Sequence, residues 1–285
     1  MAGATFGNNL DGHQNPDYSK ADNIREYNCG HAPFIDEIRI VNGHDVATDR
    51  GKNNITLHGY PWMVRISKTK NGRHFCGGVL ISRKHVITAA HCMVSCGNRR
   101  NIRCKIFRAC IRKELRCVKK GIRWAILGDY DRRTNNDGEV YMEIKKSTTH
   151  PDMNRPNPPH GGYVYDFSIA TLKDCVQLTL NVQVVCLPKN DKETFEGEKA
   201  DVIGWGHLSW HNNNDPLAGV TSNTLQVTTI TVLSNADCKK QNNLIENIYN
   251  SSYMMCAGDK DEWKKDACTM DSGGNYILNI NARIC

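Results

Sequence analysis

The sequence predicts an all-β protein, on three observations. Short runs of β-branched and aromatic residues recur from Ile38 onward, clusters of Gly, Asn, Asp and Pro separate them, and helical periodicity is confined to two places. Residues 1–28 come first and are polar, with Asn8, Asn9, Gly12, Asn15 and Pro16 interrupting any pattern, which predicts a flexible segment. The strand-like runs are residues 62–66, 78–81, 122–127, 140–144, 182–187 and 225–233. Between the second and third of them, Phe107, Ile111, Leu115 and Val118 are spaced by four, four and three, which predicts an amphipathic helix. A second helix is predicted over 234–249, where Ser234 caps the start with Asp237 three residues on, and Leu244, Ile245 and Ile248 share a face.

Composition narrows the class. Of 285 residues, 39% are hydrophobic, 24% charged and 7% aromatic, which excludes disordered and collagenous chains and is enough for a sizeable core. No apolar run approaches the ~18 residues of a membrane span, and residues 1–11 lack the basic flank and apolar centre of a secretory leader. Thirteen cysteines point instead to an oxidising compartment, so a secreted, extracellular protein is expected, with its leader missing from this amino terminus. The net charge of +7 is concentrated: residues 97–123 hold eleven Lys or Arg and one acid, Glu114. A nucleic-acid reader needs a broader basic footprint with stacking aromatics or a reader motif, and neither is present.

The chemistry lies in two segments. A hydroxyl nucleophile needs a base to take its proton, an acid to orient the base, and backbone donors for the oxyanion. Asp266, Ala267, Cys268, Thr269, Met270, Asp271, Ser272, Gly273 and Gly274 place a serine before two glycines, which relieve crowding at a sharp turn. Ile87, Thr88, Ala89, Ala90, His91 and Cys92 end a small-residue run on a histidine. Singly, each is a common pattern. Together with Ile40, Val41, Asn42 and Gly43, with Phe75 to Ile81, with Asp166 inside the apolar run Tyr165 to Leu172, with Gly204, Trp205 and Gly206, with Ser222 to Gln226, and with Met255 to Gly258, they form an ordered series. The series resembles the chymotrypsin-like (trypsin family) serine proteases from Cys29 to Gly274.

The resemblance implies two packed antiparallel six-stranded β-barrels, with a pro segment over 1–39 and a peptidase domain over 40–285. It implies a secreted endopeptidase that hydrolyses peptide bonds after Arg or Lys and needs no cofactor. In that reading Ser272 is the nucleophile, His91 the general base and Asp166 the acid that fixes the His91 tautomer. Met270 and Ser272 supply the backbone donors of the oxyanion hole, and Asp266 lies at the base of the specificity pocket. Cleavage after Arg39 frees the amino group of Ile40 to pair with Asp271, so the protein is expected to be a zymogen. The resemblance also pairs Cys76 with Cys92, Cys238 with Cys256, and Cys29 with Cys186. Protein or peptide substrates and protease inhibitors are the expected partners.

The departures from the family pattern carry weight too. Met270 stands where the family usually has glycine, which adds a Cβ beside the oxyanion donors. Asn275 replaces a usual proline, and Cys285 comes thirteen residues after Ser272, so the second barrel is expected to be incomplete, the carboxyl end missing and the chain catalytically weak or inactive. These departures keep an alternative open, a non-catalytic protease homologue that serves as a binding or regulatory module. The basic Cys-rich insertion over 95–121 holds Cys96, Cys104, Cys110 and Cys117, enough for two local bridges; no Cys-x-x-Cys or nearby His pair points to zinc. Its charge invites an anionic partner such as a sulfated polysaccharide. Asp129, Asp137 and Glu139 fall where some relatives bind calcium, but they match a hard-ion site only in part, and no metal is assigned. Asn54-Ile55-Thr56 and Asn250-Ser251-Ser252 are acceptors for glycosylation.

Overall fold

A computed structural model describes residues 49–50, 56–57, 59–97, 116–135, 138–153, 165–188, 193–208, 220–240, 251, 254–258, 272 and 275–278. Two short strands, β1 (Asp49–Arg50) and β2 (Thr56–Leu57), pair with each other. Then come β3 (Met63–Ser67), β4 (Cys76–Ser82), β5 (His85–Thr88), the single-turn helix α1 (Ala90–Met93), β6 (Val94–Gly97), β7 (Arg116–Lys119), β8 (Trp124–Leu127), β9 (Val140–Thr149) and β10 (Ser168–Leu172). After them follow β11 (Lys199–Gly204), β12 (Gln226–Val232), α2 (Asn235–Lys240), β13 (Ala257–Gly258) and β14 (Asn275–Leu278).

Six strands close a barrel in the order β10, β5, β4, β3, β8, β9, every pair antiparallel. Closure removes the free edges an open sheet of this size would expose. Val64, Ile66, Leu80, Val86, Leu127, Ala170 and Leu172 fill its interior. Strands β13, β12, β11 and β14 form a second, four-stranded antiparallel sheet. A second cluster takes Tyr60, Trp62, Met63 and Val79 from the barrel side and Ile203, Trp205, Leu225 and Val227 from the sheet side. Within it the Tyr60 hydroxyl donates to Asp201 Oδ2 at 3.0 Å, while Thr229 donates to Asp201 Oδ1 at 2.7 Å. Burial, then the charge of Asp201, push the Tyr60 hydroxyl well above its ordinary range.

Most of the expected strands are present. The run over 182–187 is the exception: apart from an isolated bridge between Thr179 and Val182 it joins no ladder. It is an extended connector whose backbone is held from the side, with Gln183 N–H donating to the Pro61 carbonyl and Val185 N–H to the Leu80 carbonyl, both at 2.9 Å. Its valines read as a strand because they are buried, Val182 and Val184 in the barrel core and Val185 in the second cluster.

The predicted amphipathic helix is overturned at Val118, which lies in β7, paired with β6 so that Cys96 stands opposite Cys117. Cross-strand pairing of a Cys-Val run outweighs a helical stripe that only one hydrophobe in four reaches at that end. Phe107, Ile111 and Leu115 lie outside the described residues, as does most of the basic insertion. The second helix begins as expected: Ser234 Oγ accepts the Asp237 N–H at 3.0 Å and donates to its carboxylate at 2.9 Å. Leu244, Ile245 and Ile248 lie outside the described residues, as do the segment 1–39, Asn54 and Asn250.

Disulfides join Cys76 to Cys92 and Cys238 to Cys256, with Cα separations of 6.2 and 6.1 Å. Cys186 is also disulfide-bonded, while its expected partner Cys29 lies outside the described residues. Cys175 is free and exposed. Among the described residues, no helix is long and apolar enough to cross a membrane.

Candidate active site

The pairing of β5 with β10 brings the candidate base and acid together. Thr88 at the end of β5 faces Ser168 at the start of β10. His91 follows Thr88 by three residues, on α1, and Asp166 precedes Ser168 by two, so the antiparallel register delivers both to one end of the barrel. There a single carboxylate takes two bonds from one residue. Asp166 Oδ1 accepts the His91 backbone N–H at 2.8 Å, and Oδ2 accepts from the ring at Nδ1, 2.6 Å away. A carboxylate can only accept here, so the proton sits on Nδ1 and the Nε2 lone pair is left for a base. Both side chains are about one quarter exposed, at 26% and 24%, which leaves the ring edge open to a substrate.

Ser272 reaches the same place by its backbone. Its carbonyl accepts the Gly77 N–H at 2.9 Å, and the Gly77 carbonyl in turn accepts the buried Thr88 hydroxyl at 2.8 Å. Ser272, β4 and β5 are thereby tied in one chain of bonds. The Cys92 sulfur, already bound to Cys76, lies 3.8 Å from His91 Nε2 and 3.6 Å from the Ser272 carbonyl oxygen. One atom thus borders both the base and the serine backbone. Cys76, His91 and Cys92 cluster closely, yet the disulfide leaves no thiolate to ligate a metal. Close packing behind the site requires a glycine at Gly78, where a Cβ would come within 2.9 Å of the Val86 side chain and 3.1 Å of Ile66.

An aromatic bracket around Asp166 carried no signal in the sequence. His150 stacks on Tyr165 with centroids 4.6 Å apart and planes 10° apart, and leans on Phe167 at 4.8 Å. These are the two residues flanking Asp166. Tyr165 has φ of +51°, a left-handed conformation that a bulky side chain adopts only under constraint. The ring stack and the bond from the Phe167 N–H to the Tyr165 carbonyl at 2.8 Å supply that constraint.

Of the remaining expected site residues, Asp266, Met270, Asp271, Arg39 and Ile40 lie outside the described residues. In the loop weighed for calcium, Asp129 is buried and paired with the Nε of buried Arg65, so an internal cation already neutralises that carboxylate; Asp137 lies outside the described residues.

Comparison with known proteins identifies the family. The sequence profile of the trypsin family, described as Trypsin, matches residues 49–282. The chain is 31% identical over 260 residues to the clotting factor G beta subunit of Tachypleus tridentatus, covering 88% of this chain and 69% of that protein. It is 27% identical to ovochymase-2 of Mus musculus (80% of this chain, 32% of that protein) and 28% identical to venom serine protease 34 of Apis mellifera (80% and 47%). The chain therefore spans less than half the length of those two relatives. Among solved structures, neuropsin, a serine protease expressed in the limbic system of mouse brain, superposes with a TM-score of 0.55 at 23% identity, covering 77% of this chain and 78% of that one, a likeness of fold. With the profile running through the segments that hold His91, Asp166 and Ser272, the chain belongs to the trypsin family of chymotrypsin-like serine proteases.

Proposed function

We propose that the protein is a secreted serine endopeptidase that cleaves after Arg or Lys and is made as a zymogen, with a pro segment over 1–39 and a peptidase domain of two packed barrels over 40–285. The observation that carries this reading is the pair of hydrogen bonds from His91 to Asp166 beside the backbone-anchored Ser272. In this mechanism His91 Nε2 takes the Ser272 hydroxyl proton as Oγ attacks the substrate carbonyl carbon. The backbone N–H groups of Met270 and Ser272 receive the oxyanion. As the C–N bond breaks, His91 returns the proton to the leaving amine, and an acyl-serine remains. Water then repeats the sequence: His91 takes its proton, hydroxide adds to the ester carbonyl, and Ser272 leaves with the proton restored.

Asp266 selects the cationic side chain, and the new ammonium of Ile40 pairs with Asp271 after cleavage at Arg39. The Cys76–Cys92 and Cys238–Cys256 disulfides support an oxidising, extracellular location, where Asn54 and Asn250 would carry glycans. Met270, which stands where the family usually has glycine, favours the second reading, a non-catalytic homologue.

Labelling by an arginyl phosphonate ester separates the two. Covalent adduct on Ser272 is expected after cleavage at Arg39 and none before it. A cleaved protein that stays unlabelled while an active trypsin labels beside it would establish the non-catalytic homologue instead.

A further inference from the structure

The β3–β4 hairpin gathers ammonium groups over aromatic rings in a way the proteolytic reading does not use. Lys68 Nζ lies 5.4 Å and Lys120 Nζ 5.1 Å from the centroid of the same Phe75 ring. Two residues further along the hairpin, Lys70 Nζ lies 5.9 Å from the Trp124 ring and 5.6 Å from the Tyr141 ring. Lys68, Lys70, Arg73 and Arg123 are exposed, and the three rings are half-buried. The ion pairs of Arg65 with Asp129, His91 with Asp166, Arg133 with Asp131 and Lys173 with Glu143 do not involve Lys68, Lys70 or Lys120.

The hairpin is held firmly. The Gly72 N–H closes a turn on the Thr69 carbonyl at 2.9 Å, the buried Arg65 guanidinium donates to the Gly72 carbonyl at 3.2 Å, the Ser67 hydroxyl donates to the Thr69 carbonyl, and the Phe75 N–H reaches the Ile66 carbonyl at 3.0 Å. Arg65 is itself anchored on Asp129. The ammonium groups are thus carried on a preorganised frame, which lowers the ordering cost of recognition.

We propose that the β3–β4 hairpin, together with Lys120 and Arg123, is a docking surface for an acidic polypeptide segment that carries apolar side chains between its carboxylates. Three features select this occupant. Two like charges share one ring: partial burial and then the charge of Lys68 lower the Lys120 pKa, the smaller opposing effect of Asp166 does not cancel them, and an incoming carboxylate relieves the Lys68–Lys120 repulsion. Half-exposed ring surface alternates with charge, which suits a peptide with interleaved apolar residues. The groups over the rings are lysines, point charges suited to carboxylates, where sulfate recognition favours the bidentate fork of arginine. Phe75 also lies two residues before Gly77, which holds Ser272, so a segment docked there adjoins the candidate active site.

The test is fluorescence anisotropy with a labelled peptide of about 12 residues alternating Asp or Glu with Phe or Tyr, at roughly 50 and 200 mM salt. The peptide is expected to bind, more weakly at the higher salt, and its Asn/Gln counterpart is not. The combined Lys68→Gln, Lys70→Gln and Lys120→Gln substitutions are expected to weaken binding about tenfold. The control set Lys146→Gln, Lys199→Gln and Lys239→Gln removes the same charge elsewhere and is expected to leave it within about twofold. Phe75→Leu keeps every charge and is expected to weaken binding as well. Equal loss in both lysine sets would show bulk charge alone and overturn the proposal. So would a wild-type protein that ignores the acidic peptide, including one that binds heparin chains through these lysines, since that surface would read sulfate. Because the readout is binding, it stands whether or not Ser272 is catalytic.

Discussion

Asp166 fixes the histidine through two donors of that one residue, so its carboxylate does chemically what no neutral isostere can. With asparagine in its place, the amide oxygen would still accept the His91 backbone N–H, but the amide nitrogen would present N–H to Nδ1 and force the ring proton onto Nε2. In an activated protein, Asp166→Asn is therefore expected to lower kcat on arginyl substrates by about 10⁴-fold with little change in KM, the loss that the same substitution causes in chymotrypsin-like proteases. Steady-state kinetics check it. Tyr60 offers a stability counterpart. Its pKa is raised in the fold, so the unfolded chain ionises first as pH climbs past the ordinary value of about 10. The contribution is fully present below that pH and declines above it. Tyr60→Phe is expected to cost about 1 kcal/mol at pH 8 and to flatten the loss between about pH 10 and 11, as read by urea unfolding across that range. These two residues also mark how much was legible. The residue types around His91, Asp166 and Ser272 were readable because each sits in a short local motif. Tyr60 and Asp201, 141 positions apart, have no such motif, and nothing local marks His150 as the neighbour of Tyr165.

At the scale of elements, the Cys76–Cys92 bridge ties β4 to α1, the strand that holds the Ser272 carbonyl to the helix that carries His91. It closes a loop with a sequence separation of 16, for which chain entropy gives about 3 kcal/mol. Replacing both cysteines with alanine is expected to lower unfolding stability by about that amount, as measured by guanidinium denaturation, and to slow phosphonate labelling of the activated protein. Strands were legible wherever alternation or a β-branched run coincided with a ladder partner, as in β3, β4 and β12. They were misread where burial alone produced the pattern, in the connector over 182–187, and where a helical stripe overlapped the β6–β7 ribbon. Periodicity reports which side is buried, not what buries it.

Across the whole molecule, the cluster around Trp62 and Trp205 joins the barrel to the second sheet. Trp205 is fully buried and donates its indole N–H to the Tyr130 carbonyl at 3.1 Å, fastening the sheet side to the β8–β9 loop. Trp205→Ala is expected to cost about 3–5 kcal/mol and, in the wild type, barrel and sheet should unfold in one transition. Coincident fluorescence and circular dichroism curves would bear this out, and two separated transitions would contradict it. The closed barrel follows the expectation drawn from the family resemblance, although composition and pattern gave its strands without their order. That order depends on pairings between distant segments, such as β3 with β8 and β5 with β10.

The same order sets a timetable during synthesis. Every strand of the barrel lies between Met63 and Leu172, so the ribosome has made the whole of it, and with it the contact between His91 and Asp166, while Ser272 is still untranslated. At about 5–20 residues per second the serine arrives several seconds later. The nascent chain therefore holds His91 already paired with Asp166 before the segment of Ser272 exists to dock on Gly77.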